Sequence, residues 1–323
     1  MTIRANVDQL GDLTAGHPDE VRAVYECILA ASHVGHRYIE TRSGRRVHLI
    51  EAGEGPPLVL LHGGGTSSLG GGTSSLSHLR LLAHLEGVRA INADRPGFGL
   101  SDPVHVPRER YRDAAIEFVD EVLDALELET AALAGASGGG IWALWYALAH
   151  PERVRRLVLL TGVPLLPGTR FPAPLRVMVA PVVGDLLARV KPTPKMVVRF
   201  MSAMGEKDTI VRHPDLIESL VAAGRDPIAA AAGLAEFRAV GSPFGFGPSL
   251  RVHPDDLRSL ATPTLVMWGD HDPTGTVEVA QAITSLIPKA QLEVLPAGHV
   301  PWLGSAERVA ELLSRFVRSD GEG

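Results

Sequence analysis

Lysine is scarce in this 323-residue chain. Of 31 basic residues only Lys191, Lys195, Lys207 and Lys289 are lysines, and acids outnumber bases, for a formal net charge of −6. No basic stripe marks a nucleic-acid partner. A single cysteine, Cys27, excludes an intrachain disulfide and any cysteine-based metal site. No apolar run reaches the length of a membrane-spanning helix, and Met1 to Gly16 is polar, without the hydrophobic stretch of a secretory signal. The expectation is a cytoplasmic protein with no nucleic-acid partner and no membrane span. What remains, 45% hydrophobic and 21% charged residues, is ordinary for a globular protein.

Apolar runs alternate with helical periodicity. Pro18 to Ala31 reads as a helix. Arg37–Glu40 and Arg46–Glu51 flank Ser43-Gly44 as a hairpin would. Leu58–Leu61, Val88–Ala93, Val154–Leu160, Leu265–Trp268 and Leu292–Leu295 are short runs suited to strands buried on both faces. Helical patterns over 108–126, 277–286 and 306–317 separate or follow them. This order predicts an α/β fold, a mostly parallel central sheet with helices on both faces. From Gly162 to about Leu260 the rhythm breaks. That stretch is rich in proline, holds Met178, Met196, Met201 and Met204, and shows no clear strand. It is too long for a loop between sheet strands and reads as a helical cap inserted over the sheet. The expected division is an N-terminal helical extension over 1–36, a core over 37–162 and 261–323, and a cap over 163–260.

Seven residues are repeated letter for letter: Gly63 to Leu69 and Gly70 to Leu76 both read Gly-Gly-Gly-Thr-Ser-Ser-Leu. Such a tandem duplication lengthens one loop. It is too short for a solenoid repeat.

The chemistry centres on Gly135-Ala136-Ser137-Gly138-Gly139. An apolar run precedes it and an amphipathic stretch follows, so the order is strand, sharp turn, helix. A serine at such an apex is held in a strained conformation with its hydroxyl exposed, and the residues two before and two after must be small. A serine nucleophile needs a base, and the base needs an acid to fix its tautomer. Asp270 and Asp272 follow one later strand, and His299 follows the last, between Gly298 and Val300-Pro301.

The chain resembles the α/β-hydrolase superfamily over nearly its whole length. The resemblance rests on His62-Gly63-Gly64-Gly65, Asp94-Arg95-Pro96-Gly97-Phe98-Gly99-Leu100-Ser101, the Ser137 elbow, Trp268-Gly269-Asp270-His271-Asp272 and Gly298-His299. It implies Ser137 as nucleophile, His299 as base and Asp272, rather than Asp270, as acid, with Asp270 a turn residue capping the next helix. It also implies an oxyanion hole from the N–H groups of Gly138 and Gly64. Gly71 of the second copy is the alternative to Gly64, and the first copy is preferred because it is tethered to the strand end. His62 would orient the loop, and Asp94, Arg95 and Ser101 would be scaffold. Relatives that cleave carbon–halogen bonds or epoxides place aspartate at the elbow, so Ser137 points to acyl transfer. No cofactor or metal is implied.

The leading expectation is a carboxylic ester or lactone hydrolase acting through an acyl-enzyme, with a small hydrophobic acyl or ester substrate bound under the methionine-containing cap. A carbon–carbon hydrolase of ring-fission products is the alternative. Relatives of that type often carry Ser-Gly-Pro after the His-Gly pair, where this chain has Gly-Gly-Thr, which weighs against it. A hydrolase-fold receptor for a small molecule is the reading from outside the enzymes. A homodimer is compatible with the sequence.

Overall fold

The computed structural model describes residues 18–32, 34–65, 74–187 and 189–319. Ten strands are present among the described residues: β1 (Gly35–Glu40), β2 (Arg46–Ala52), β3 (Pro57–Leu61), β4 (Arg89–Ala93), β5 (Ala131–Ala136), β6 (Val154–Leu160), β7 (Gly241–Ser242), β8 (Gly245–Phe246), β9 (Thr264–Gly269) and β10 (Ala290–Leu295). Eight of them form one sheet in the order β1-β2-β4-β3-β5-β6-β9-β10. β1 and β2 pair antiparallel, as does β2 with β4, and every other neighbour is parallel. The α/β class and the mostly parallel sheet expected from the sequence are therefore present.

Helices cover both faces. Their order is α1 (Pro18–Ser32), α2 (Leu79–Leu82), α3 (Tyr111–Ala125), α4 (Gly138–Ala149), α5 (Ala173–Val179), α6 (Val183–Leu187), α7 (Pro194–Ala203) and α8 (Lys207–Arg212). Then follow α9 (Pro214–Ala223), α10 (Pro227–Val240), α11 (Pro254–Ser259), α12 (Val277–Leu286), α13 (Pro301–Gly304) and α14 (Ala306–Arg318). Alternation along each strand sorts its side chains between two cores. Val59 and Leu61 of β3 join α3, α4 and α12 on one face. Leu58 and Leu60 join α2 and α14 on the other. α14 shows the cause plainly: Val309, Leu312, Leu313 and Phe316 are buried at helical spacing, while Glu307, Arg308 and Glu311 face solvent. α4, apolar all round, is buried along ten of its residues.

The segment between β6 and β9 carries α5 to α11 and one feature absent from the sequence reading, the two-residue hairpin β7–β8. α1 packs within its own chain. Tyr25 and Leu29 are buried in the same core as α2 and α14, and α1 packs against α9.

The sheet order places the site. The chain leaves β3 to one side for β4 and then returns to the other side for β5. The crevice beyond the carboxyl ends of β3 and β5 is thus a topological switch point, where open α/β sheets bind ligands.

Candidate active site

Ser137 stands between β5 and α4 with φ 48° and ψ −113°, a conformation that non-glycine residues avoid. Close packing holds it there. A Cβ added to Gly135 would lie 2.3 Å from the Gly139 carbonyl oxygen, and one on Gly139 2.2 Å from that of Leu61. α4 can lie this close to β5 and to the end of β3 only where these two positions lack a side chain. Ser137 N–H donates to the Leu160 carbonyl, and the Ser137 carbonyl accepts from Ile141 in the first turn of α4.

His299 and Asp272 meet. His299 Nδ1 lies 2.9 Å from Asp272 Oδ2. The Asp272 side chain is fully buried and accepts four further bonds: Thr161 Oγ1, Gly162 N–H, Thr274 N–H and Thr274 Oγ1. Burial alone would raise its pKa, but the charge and hydrogen bond of His299 and the bonds from Thr274 outweigh it. The carboxyl is held well below its usual range, so Asp272 stays ionised beside His299. The loop carrying His299 is pinned from outside the sheet: His299 N–H donates to Met204 O, and Val300 N–H to Glu206 Oε1.

Asp270 makes no such contact. Its Oδ1 lies 2.5 Å from His271 Nδ1 and accepts from Ala297 N–H. It ties the β9 turn to the loop before His299, whereas the sequence suggested a cap on the next helix. His62 orients its loop as expected. It is neutral and fully buried, donating from Nδ1 to Gly63 O and accepting Arg95 N–H at Nε2. Burial, with the nearby Arg95 charge, lowers its pKa to about 3. Asp94 is a scaffold hub bonded to His48, Ser75 N–H and Leu100 N–H. Ser101 donates to the Asp94 carbonyl.

Ser137, His299, Gly64 and Gly138 all line one pocket. Its walls are mostly apolar, including Phe171, Leu175, Phe237, Val240 and Phe246. Of the four methionines singled out in the sequence, only Met204 reaches it. Gly64 of the first copy lines the pocket, and Gly71 lies outside the described residues.

Sequence reasoning missed three residues. Thr161 and Thr274 hold the Asp272 carboxylate. Glu236, from α10, also lines the pocket. Its carboxylate takes both ends of the Arg95 guanidinium at 2.9 and 3.0 Å. A signal was available: Glu236 is the only acid within the helix Pro-Ile-Ala-Ala-Ala-Ala-Gly-Leu-Ala-Glu-Phe-Arg-Ala-Val.

Comparison with known proteins fixes the family. The alpha/beta hydrolase family matches residues 58–312. The chain belongs to the alpha/beta hydrolases. This hydrolase is 32% identical over 281 residues to a 2-hydroxymuconate semialdehyde hydrolase of Pseudomonas putida, covering 85% of this chain and 92% of the relative. A 2-hydroxy-6-oxo-6-phenylhexa-2,4-dienoate hydrolase from a Rhodococcus species shares the fold, with TM-score 0.71 at 21% identity over 88% of this chain and all of the other. So does a carboxylesterase from Bacillus subtilis, with TM-score 0.64 at 23% identity over 94% and 100%.

The sequence match to the semialdehyde hydrolase overturns the expectation of an ester hydrolase. A muconate semialdehyde contains no ester, and it is the enzymes acting on such ring-fission products that this hydrolase resembles along its sequence. A serine nucleophile with a base and an acid can in chemical principle serve either bond, so the motifs alone could not separate the two. The Gly-Gly-Thr sequence after the His62-Gly63 pair, read as weighing against the carbon–carbon class, does not carry that weight.

Proposed function

We propose that this protein hydrolyses a carbon–carbon bond in a ring-fission product, a 2-hydroxy-6-oxo-dienoate or close analogue. The observation that carries the proposal is the 32% identity over 281 residues to the 2-hydroxymuconate semialdehyde hydrolase. Ser137 acts as nucleophile, His299 as base and Asp272 as the acid that fixes the imidazole. Residues 163–260 form a cap over them. The Ser137 hydroxyl gives its proton to His299 and attacks the ketone carbon, and Asp272 stabilises the imidazolium. The developing oxyanion is received by the N–H groups of Gly64 and Gly138. Once the dienol has ketonised, the bond between the carbonyl and its neighbouring carbon breaks. Its electron pair departs as an enolate that is stabilised by the remote keto acid and takes a proton. Water then attacks the acyl-serine, releasing a carboxylic acid and restoring Ser137.

The apolar walls beside Ser137 support an uncharged acyl half. The test is turnover of a 2-hydroxy-6-oxo-dienoate, followed by loss of dienolate absorbance, beside a p-nitrophenyl ester. Wild type should favour the dienoate in kcat/KM by at least about tenfold. Ser137→Ala should lose at least roughly 10³-fold on it. A preference for the ester, or dienoate turnover that survives in Ser137→Ala, overturns the proposal.

A further inference from the structure

The charge at the oxyanion site is unusual. Glu236 is 5% exposed and Arg95 0%. Only the carboxylate of this pair lines the pocket, because the guanidinium lies behind it. Arg95 is fixed from its own side by stacking over Trp142 and Phe98, at 4.8 and 5.1 Å from the ring centroids. The carboxylate sits against both glycines assigned to the oxyanion hole. A Cβ on Gly138 would lie 2.2 Å from Glu236 Oε1, and one on Gly64 2.5 Å from Oε2. Among the described residues lining the pocket, none is lysine or arginine, and His299 is the only other titratable group.

A buried, bidentate ion pair has little net charge but a strong dipole. Here the negative end faces the acyl site. The reaction changes the charge of its ligand at that point. The bound substrate presents a neutral carbonyl, which carries charge only transiently, as an oxyanion held by the Gly64 and Gly138 N–H groups. Deacylation adds water to the acyl carbon, breaks the bond to Ser137 Oγ, returns the proton to Ser137 and leaves a carboxylic acid that ionises near neutral pH.

We propose that Glu236 is a specificity-determining residue of the acyl site: held by Arg95 against Gly64 and Gly138, it admits a neutral carbonyl and expels the carboxylate product. The inference rests on the acyl-enzyme part of the function proposed above, and not on which bond forms that acyl-enzyme.

The experiment is equilibrium binding by calorimetry of two ligands of nearly equal shape, benzamide and benzoate. Wild type should bind benzamide at least tenfold more tightly. Glu236→Gln keeps the shape and removes the charge, and should reduce that ratio at least tenfold. If Glu236→Gln fails to fold, the double variant Arg95→Met/Glu236→Leu removes the whole pair and should reduce the ratio in the same way. An unchanged ratio in the folded variant overturns the inference, as does wild type that binds neither ligand. A changed ratio in a protein that leaves the dienoate intact would reject the carbon–carbon reading and keep this one.

Discussion

Arg95 illustrates how little a side chain's type says about its task. It sits in a segment whose other polar residues, Asp94 and Ser101, bond only to the scaffold, and the sequence assigned all three that role. Two of them keep it, while Arg95 reaches the pocket through Glu236. The partner lies 141 residues away, which no local pattern could reveal. Removing one member of a buried pair strands the other. Arg95→Met should therefore cost about 3–5 kcal/mol of stability in urea unfolding. The double variant Arg95→Met/Glu236→Leu should recover most of it, since well-packed apolar groups replace a buried pair at little cost. A double variant no more stable than Arg95→Met would refute the pairing argument. Asp272 offers a second test at this scale. Its carboxylate accepts five hydrogen bonds, and only the one from His299 bears on the base's tautomer. Asp272→Asn should keep the fold and lower kcat by about 10⁴-fold. The pair Asp272–His299 was legible because strand-end loops follow motif spacing. Thr161 and Thr274 were not, because threonine in a loop has many uses.

At the scale of elements, the strand–elbow–helix unit was the most readable part of the chain. Its glycines obey a steric rule that acts locally. Gly135→Ala would drive a methyl group into the Gly139 carbonyl and Gly140 Cα, both backbone, which cannot turn aside as a side chain can. The expected loss is about 3 kcal/mol, read by thermal unfolding, with Ser137 activity lost in parallel. The hairpin β7–β8 escaped notice because two residues per strand carry no periodicity. The duplicated loop invites a different argument. Residues 66–73 lie outside the described residues, but the end of the second copy is anchored. Ser75 N–H donates to Asp94, the Ser75 carbonyl accepts from Asn92, and Ser74 caps the turn that follows. Deleting 70–76 joins Leu69 to Ser77, so Ser67 and Ser68 inherit the sequence positions of Ser74 and Ser75. The shortened chain should fold, with a melting temperature no lower than that of wild type, since a shorter loop costs less to close. A shortened chain that does not fold would show that the extra seven residues are needed to span from β3 to α2.

Across the whole molecule, two histidines buried in neutral form couple folding to pH. His62 is held between the Gly63 carbonyl and the Arg95 N–H, and His78 ends the turn that follows Ser74. His78 bonds to Asn92 Oδ1 at 3.2 Å and packs edge-on against Trp302. Burial lowers His62 from the ordinary 6.5 to about 3 and His78 to about 4. Below pH 6.5 the unfolded chain takes up protons at both positions while the folded chain does not. Their contribution is therefore complete above pH 6.5 and declines as the pH falls towards 4. Each costs about 1.4 kcal/mol per pH unit once the pH is well below 6.5. Asp94 has its pKa lowered in the fold, where the bonds from His48 and Ser75 outweigh its burial. Its contribution is present above the unfolded carboxylate pKa and is lost only at more acid pH, so the range from 7.5 to 5.0 isolates the histidines. Urea unfolding should lose about 2 kcal/mol per buried histidine across that range. His78→Gln retains a donor for Asn92 but cannot titrate, so its loss should be smaller than that of wild type by about 2 kcal/mol. The other histidines titrate alike in both proteins and cancel in the difference. An identical pH dependence in the two proteins would mean that His78 takes up its proton in the folded state, and the turn it ends would then tolerate a charge that its apolar surroundings should exclude.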